Sequence, residues 1–120
     1  MVAEWFDRGL QDLETAKLLI KAKGHTGMVA LHIHQATEKY LKGFLVLKNI
    51  VPKKTHDLGF LLQNAIPEEP ALKPFLDFCD ITTRYYLQDR YPPGIPAKYP
   101  RSEMKKALRT LERMIKIISA

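Results

Sequence analysis

The chain has 120 residues, is 46% hydrophobic and carries a net charge of +6 from 19 Lys and Arg against 13 Asp and Glu. That length suits one domain, residues 1–120, able to bury a core without staples, and the composition argues against disorder. A lone cysteine, Cys79, excludes an intramolecular disulfide, and no apolar run approaches the roughly 20 residues of a membrane span.

The spacing predicts a first helix over 3–22, with Ala3, Phe6, Leu10, Leu13, Ala16 and Ile20 as its apolar stripe and Gly24 ending it before an HTG turn. A second helix over 28–47, MVALHIHQATEKYLKGFLVL, runs back antiparallel. Val29, Ile33, Ala36, Tyr40, Phe44 and Leu47 recur at helical steps, and Ala30, Leu41 and Leu45 form a second apolar row. Yet His34, Gln35, Glu38, Lys39 and Lys42 are set into the same helix. Polar groups beside buried rows need partners, so this helix is expected to serve both as core and as the wall of a polar groove.

Residues 49–55 read as a loop around Pro52, with Thr55 as the N-cap of a short helix over 57–65. Pro67 and Pro70 break the chain before a third long helix over 71–88, with Leu72, Phe75, Leu76, Cys79 and Tyr86 on one side and Pro74 in its first turn. The stretch 90–101, RYPPGIPAKYPR, holds four prolines and reads as a semi-rigid loop. Ser102 is the expected cap of a last helix to 118, whose stripe is Met104, Ala107, Leu108, Leu111, Ile115 and Ile118 and whose outer face is basic through Lys105, Lys106, Arg109, Arg113 and Lys116. No segment alternates like a strand. The expectation is an all-α, up-and-down bundle of four long helices and one short one.

The opening MVAEWFDRGLQDLE is acidic and amphipathic, unlike a secretion signal, so a cytoplasmic protein is expected. The basic excess suits nucleic acid, nucleotides or acidic partners, and equally a protein rich in surface lysines. Metal-site spacings, a Gly-rich phosphate loop and a GxSxG elbow are all missing, so no metal or cofactor is expected. Three clusters remain. His34-Gln35-Glu38-Lys39-Lys42 reads as a polar site or as a solvated helix edge. Thr55-His56-Asp57-Leu58 reads as a site or as helix capping. Arg84-Tyr85-Tyr86-Leu87-Gln88-Asp89-Arg90-Tyr91 interleaves arginines that suit phosphate with tyrosines that suit base stacking, or packs as a helix end.

The order of E-K-x-L-K (38–42), T-H-D-L (55–58) and R-Y-P (90–92) in an all-α setting resembles the HEPN (higher eukaryotes and prokaryotes nucleotide-binding) domain family, and the resemblance covers nearly the whole chain. It implies a homodimer with a cleft at the helical interface. It also implies, for the small prokaryotic type, a minimal nucleotidyltransferase partner in a toxin–antitoxin-like pair. Many members are metal-independent RNases whose motif is an Arg, four to six intervening residues, then a His, with in a subgroup a Tyr two further on that the partner nucleotidyltransferase can modify with adenylate. Laid on this chain, the Arg is Arg84 and the Tyr is Tyr91, but the His position is Asp89. A carboxylate flanked by Arg84 and Arg90 is held charged, which opposes acid–base work near neutral pH. The leading expectation is therefore a nucleotide- or RNA-binding homodimer using Arg84, Arg90 and Tyr91, with Lys39, Lys42 and His56. The alternatives are an endoribonuclease using Arg84 with Asp89, or with His56 or His34 in the usual His role, and a docking module with no ligand of its own.

Overall fold

The computed structural model describes residues 2–90 and 99–120, and for 86–90 the helical backbone. Among the described residues there are five α-helices and no strand: α1 (Val2–Lys21), α2 (Thr26–Leu47), α3 (Leu58–Ala65), α4 (Leu76–Arg90) and α5 (Arg101–Ile118). A 3-10 helix, Pro70–Phe75, precedes α4. This is the expected bundle of four long helices and one short one. The prolines explain the late start of α4: Pro70 opens the 3-10 turn, and Pro74 lacks a donor and disfavours the α conformation at Lys73, so regular α-helix begins just past it.

The central element is α2, which packs against α1, α3, α4 and α5. Val29, Ala30, Ile33, Ala36, Tyr40, Leu41, Phe44 and Leu45 are all buried, whereas Leu47 at its end is half exposed. Buried partners come from α1 (Leu13, Ala16), α3 (Leu58, Leu61, Leu62), α4 (Cys79, Tyr85) and α5 (Met104, Leu108, Leu111, Met114). On α1 the buried side runs through Gly9, Leu13 and Ala16; Ala3 and Leu10 of the expected stripe face water. The reason is that α1 meets α2 through glycines. A Cβ on Gly9 would sit 2.8 Å from the Tyr40 ring, and one on Gly43 would sit 2.7 Å from Phe6 and 2.9 Å from the Cβ of Trp5. Phe6 and Tyr40 stack across this contact with centroids 5.7 Å apart.

The caps differ from the sequence reading in three places. Helix α1 ends with Lys23, not Gly24, in the left-handed region (φ 58°), and Gly24 N–H donates to the Leu19 carbonyl. At the start of α3 the N-cap is Asp57, which accepts from Phe60 N–H at 3.1 Å; Thr55 instead accepts from Asp57 N–H, one step earlier. Ser102 lies inside α5, which starts at Arg101 without a side-chain cap. The expected loop over 90–101 falls largely on 91–98, outside the described residues, and Arg90 belongs to α4. No described helix is long and apolar enough to cross a membrane.

Two substitutions should move stability in opposite directions. Gly43→Ala should lose about 1–3 kcal/mol despite alanine's better helix propensity, because Phe6 and the Trp5 side of α1 have nowhere to go. Lys23→Gly should gain about 0.5–1 kcal/mol by relieving a left-handed lysine. Urea denaturation midpoints read both.

Candidate functional site

Three polar side chains lie one turn apart along one face of α2: His34, Glu38 and Lys42. All three are buried. The solvated-edge reading of this cluster therefore fails, and burial forces each group to find a partner. The Glu38 carboxylate has two. Lys42 Nζ donates to Oε2 at 3.3 Å, and His56, from the loop before α3, approaches Oε1 through Nδ1 at 2.7 Å. His34 reaches the same loop from below: its Nε2–H donates to the His56 carbonyl at 3.1 Å. Thus α2 grips His56 twice, by its backbone and by its ring.

These bonds assign the protons. When the rings are neutral, the carboxylate at Nδ1 places the His56 proton there, and the carbonyl at Nε2 gives His34 the opposite tautomer. His56 is about half exposed (side chain 49%) while Glu38 is 8% exposed. The result is a half-exposed imidazole oriented by a buried carboxylate, the relation that prepares a histidine to accept a proton. Lys42 also lies 5.9 Å from the centroid of the Trp5 ring.

The loop is tied to α4 as well. Leu58 N–H, two residues past His56, donates to Thr83 Oγ1 at 3.0 Å, and that hydroxyl donates to the Cys79 carbonyl at 2.8 Å. Asp80 and Asp57 both sit against Gly59, where a side chain would meet the Asp80 carboxylate. Arg84, next after Thr83 and one turn beyond Asp80, is exposed and makes no hydrogen bond or ion pair among the described residues. It therefore stands at the same end of the bundle as His56. Asp89 and Arg90 continue the same helix as backbone, and Tyr91 lies outside the described residues.

Two residues of the expected clusters go elsewhere. Lys39 does not join Glu38; it turns to α1 and pairs with Asp12, whose other oxygen takes the Nδ1 of His32 at 2.9 Å. This Asp12–His32–Lys39 group was missed in the sequence, where only the seven-residue spacing of His32 and Lys39 hints at a shared face. Tyr85 is buried and packs edge-on against Tyr99, centroids 5.5 Å apart, so it serves the core and presents no face for a base; burial, then Glu103 and Tyr99, pushes its hydroxyl up to about 12. Cys79 is likewise a core residue, its thiol pushed up to about 12 by burial and then by Asp80 and Asp57. Among the described residues, no group of three or more His, Cys, Asp or Glu side chains is set to hold a metal ion.

The fold and this motif-bearing face define a helical bundle organised on a polar central helix. The HEPN domain family matches residues 2–120, and the chain belongs to that family. Among solved structures, TT1696 from Thermus thermophilus superposes with a TM-score of 0.82 at 23% identity, covering 98% of this chain and 95% of that one. ST0689, an archaeal HEPN homologue, gives a TM-score of 0.78 at 22% identity, covering 99% of this chain and 95% of its own. At such identities the likeness carries the fold. No protein of curated function matches.

Burial lowers the His34 pKa below 6.5, outweighing the raising influence of its bond to the His56 carbonyl and of Glu38. The unfolded chain then takes up this proton at higher pH than the folded one. The stability His34 lends is complete above pH 6.5 and is lost as the pH falls through the lowered folded-state value. Replacing His34 by Gln, which keeps a donor for the His56 carbonyl, should flatten the acid limb of a stability–pH curve by up to about 1.4 kcal/mol per pH unit. Urea unfolding at a series of pH values measures the slope.

Proposed function

We propose that this HEPN protein binds a nucleotide or RNA as a homodimer, where α4 at Arg84 adjoins the loop that carries His56, and works with a minimal nucleotidyltransferase as its partner. The observation that carries this reading is an exposed arginine on α4, Arg84, directly after Thr83, whose hydroxyl takes the Leu58 N–H of the T-H-D-L loop that presents His56 to Glu38. Arg84, with Arg90, supplies bidentate donors for phosphate. Lys42 adds positive potential from below, although its charge is largely answered by Glu38. Tyr91 would stack on a base or accept modification. The family membership and the net charge of +6 support the same reading.

One observation favours a second reading, a metal-independent endoribonuclease. The Glu38–His56 pair supplies the imidazole that the motif lacks at Asp89. In this version His56 takes the proton of an RNA 2′-hydroxyl, the 2′-oxygen attacks the adjacent phosphorus as the P–O5′ bond breaks, and the products are a 2′,3′-cyclic phosphate and a 5′-hydroxyl that takes its proton from water or from the His56 imidazolium, while Arg84 balances the charge that builds on the phosphoryl oxygens. Lowering the charge of Asp89 is then unnecessary.

A single experiment separates the two. Labelled single-stranded RNA is incubated with the purified chain and chelator at low and moderate salt, beside Arg84→Ala and His56→Ala. Under the binding reading the RNA stays intact and shifts, the log of the binding constant falls with log salt at about 0.7 per phosphate contacted, and Arg84→Ala weakens binding roughly tenfold. Cleavage lost in both variants establishes the RNase instead. Intact RNA with no shift at any salt contradicts both readings and leaves docking of the nucleotidyltransferase, tested by co-elution after co-expression.

A further inference from the structure

The C-terminal end of α2 is followed by an unusual loop. Ile50, Val51 and Pro52 are three apolar residues in a row, and Val51 is 90% exposed. The preceding turn explains the path. Asn49 takes the left-handed conformation (φ 62°), and Ile50 N–H folds back to donate to the Leu45 carbonyl at 2.8 Å. That turn, stiffened two residues later by Pro52, carries the loop past Trp5 of α1. Between them lies a cavity of about 610 Å³.

The chemistry of this cavity is one-sided. Its apolar walls come from Trp5, Val46, Ile50 and the Val51–Pro52 step, and its charged residues are Lys42, Lys53 and Lys54, with no carboxylate among the described lining residues. Glu38 answers Lys42, so the unbalanced charge belongs to Lys53 and Lys54 on the loop. Lys53 already lies over an aromatic face, 5.5 Å from the Phe60 centroid. The volume falls within the roughly 300–1,000 Å³ of small-molecule sites, and the apolar walls with a few charged groups repeat their usual composition. A space of this size fits one small molecule better than a length of peptide, which needs an extended groove. The flat indole of Trp5 and the aliphatic lining side chains suit a planar ring system, and two ammonium groups with no carboxylate among the described lining residues suit one acidic group on it.

We propose that this cavity binds a small aromatic anion, a flat ring system bearing a carboxylate or sulfonate. Its ring lies among Trp5, Val46 and Ile50, and its acidic group meets Lys53 and Lys54. The site goes beyond the nucleotide- or RNA-binding reading and uses neither Arg84 nor His56.

Trp5 is the chain's single tryptophan, so the tryptophan emission arises at the wall of this cavity, and the charge-reversal variant locates the probe there. The test titrates the full chain with 8-anilinonaphthalene-1-sulfonate, exciting Trp5 and following its quenching and the emission of the probe. The expected result is saturable one-site binding with quenching of Trp5. The double variant Lys53→Glu/Lys54→Glu should weaken it about tenfold or more, and the uncharged analogue N-phenyl-1-naphthylamine should bind the unaltered chain at least about tenfold more weakly. Both lysines are exposed loop residues, and circular dichroism verifies that the variant keeps its helices. Absence of saturable binding, equal affinity for the charged and uncharged compounds, an unchanged affinity after charge reversal, or probe saturation without Trp5 quenching would each overturn the proposal.

Discussion

The structure depends on what is done with one carboxylate. Glu38 lies at the middle of α2, 8% exposed, where an isolated charge would cost several kcal/mol and would be expelled or neutralised. Lys42 answers it from the next turn, and His56 answers it from another segment. The second answer has architectural consequences. To deliver His56, the loop after α2 must turn back over the helix, which fixes where α3 begins. The start of α3 is then stapled to α4 through the Thr83 hydroxyl. Removing both partners would leave the buried Glu38 charge unpaired, a larger penalty than the pairs themselves contribute.

The same helix solves a second problem on another side. Asp12 on α1 is gripped between His32 and Lys39 of α2, so α1 and α2 are joined by an ionic contact as well as by the close approach at Gly9 and Gly43. This explains how a helix can be apolar around most of its circumference and still carry two histidines, a glutamate and two lysines. Its polar residues fall into two stripes with opposite duties. One faces α1 and holds two helices together; the other faces the T-H-D-L loop and orients a side chain that reaches solvent.

Helix positions were legible because periodicity and proline placement are local, and the spans of α2, α3 and α5 lie within a few residues of the spacing-based reading. The errors were also local in cause. Choosing between Thr55 and Asp57 as a cap, or between Lys23 and Gly24 as the left-handed residue, turns on a single dihedral that composition does not specify. The site was half legible. The E-K-x-L-K and T-H-D-L motifs identified Glu38, Lys42 and His56, since polar residues inside an apolar helix must be answered from somewhere. Nothing in the spacing indicated that His34 would hold the His56 carbonyl, that Lys39 would leave the group for Asp12, or that Tyr85 would turn inward while its neighbour Arg84 stays exposed. Those outcomes are set by which helix packs on which, information that a one-dimensional pattern carries only weakly.

Whether α2 orients His56 through Glu38 while His34 holds the loop backbone can be read by ¹⁵N NMR of the histidine side chains at alkaline pH, where the rings are neutral and each proton can be located. The proton is expected on Nδ1 for His56 and on Nε2 for His34, with Glu38→Gln altering the His56 ring and leaving the His34 tautomer in place. A His56 proton on Nε2, or a His56 ring indifferent to the loss of the Glu38 charge, would contradict this arrangement.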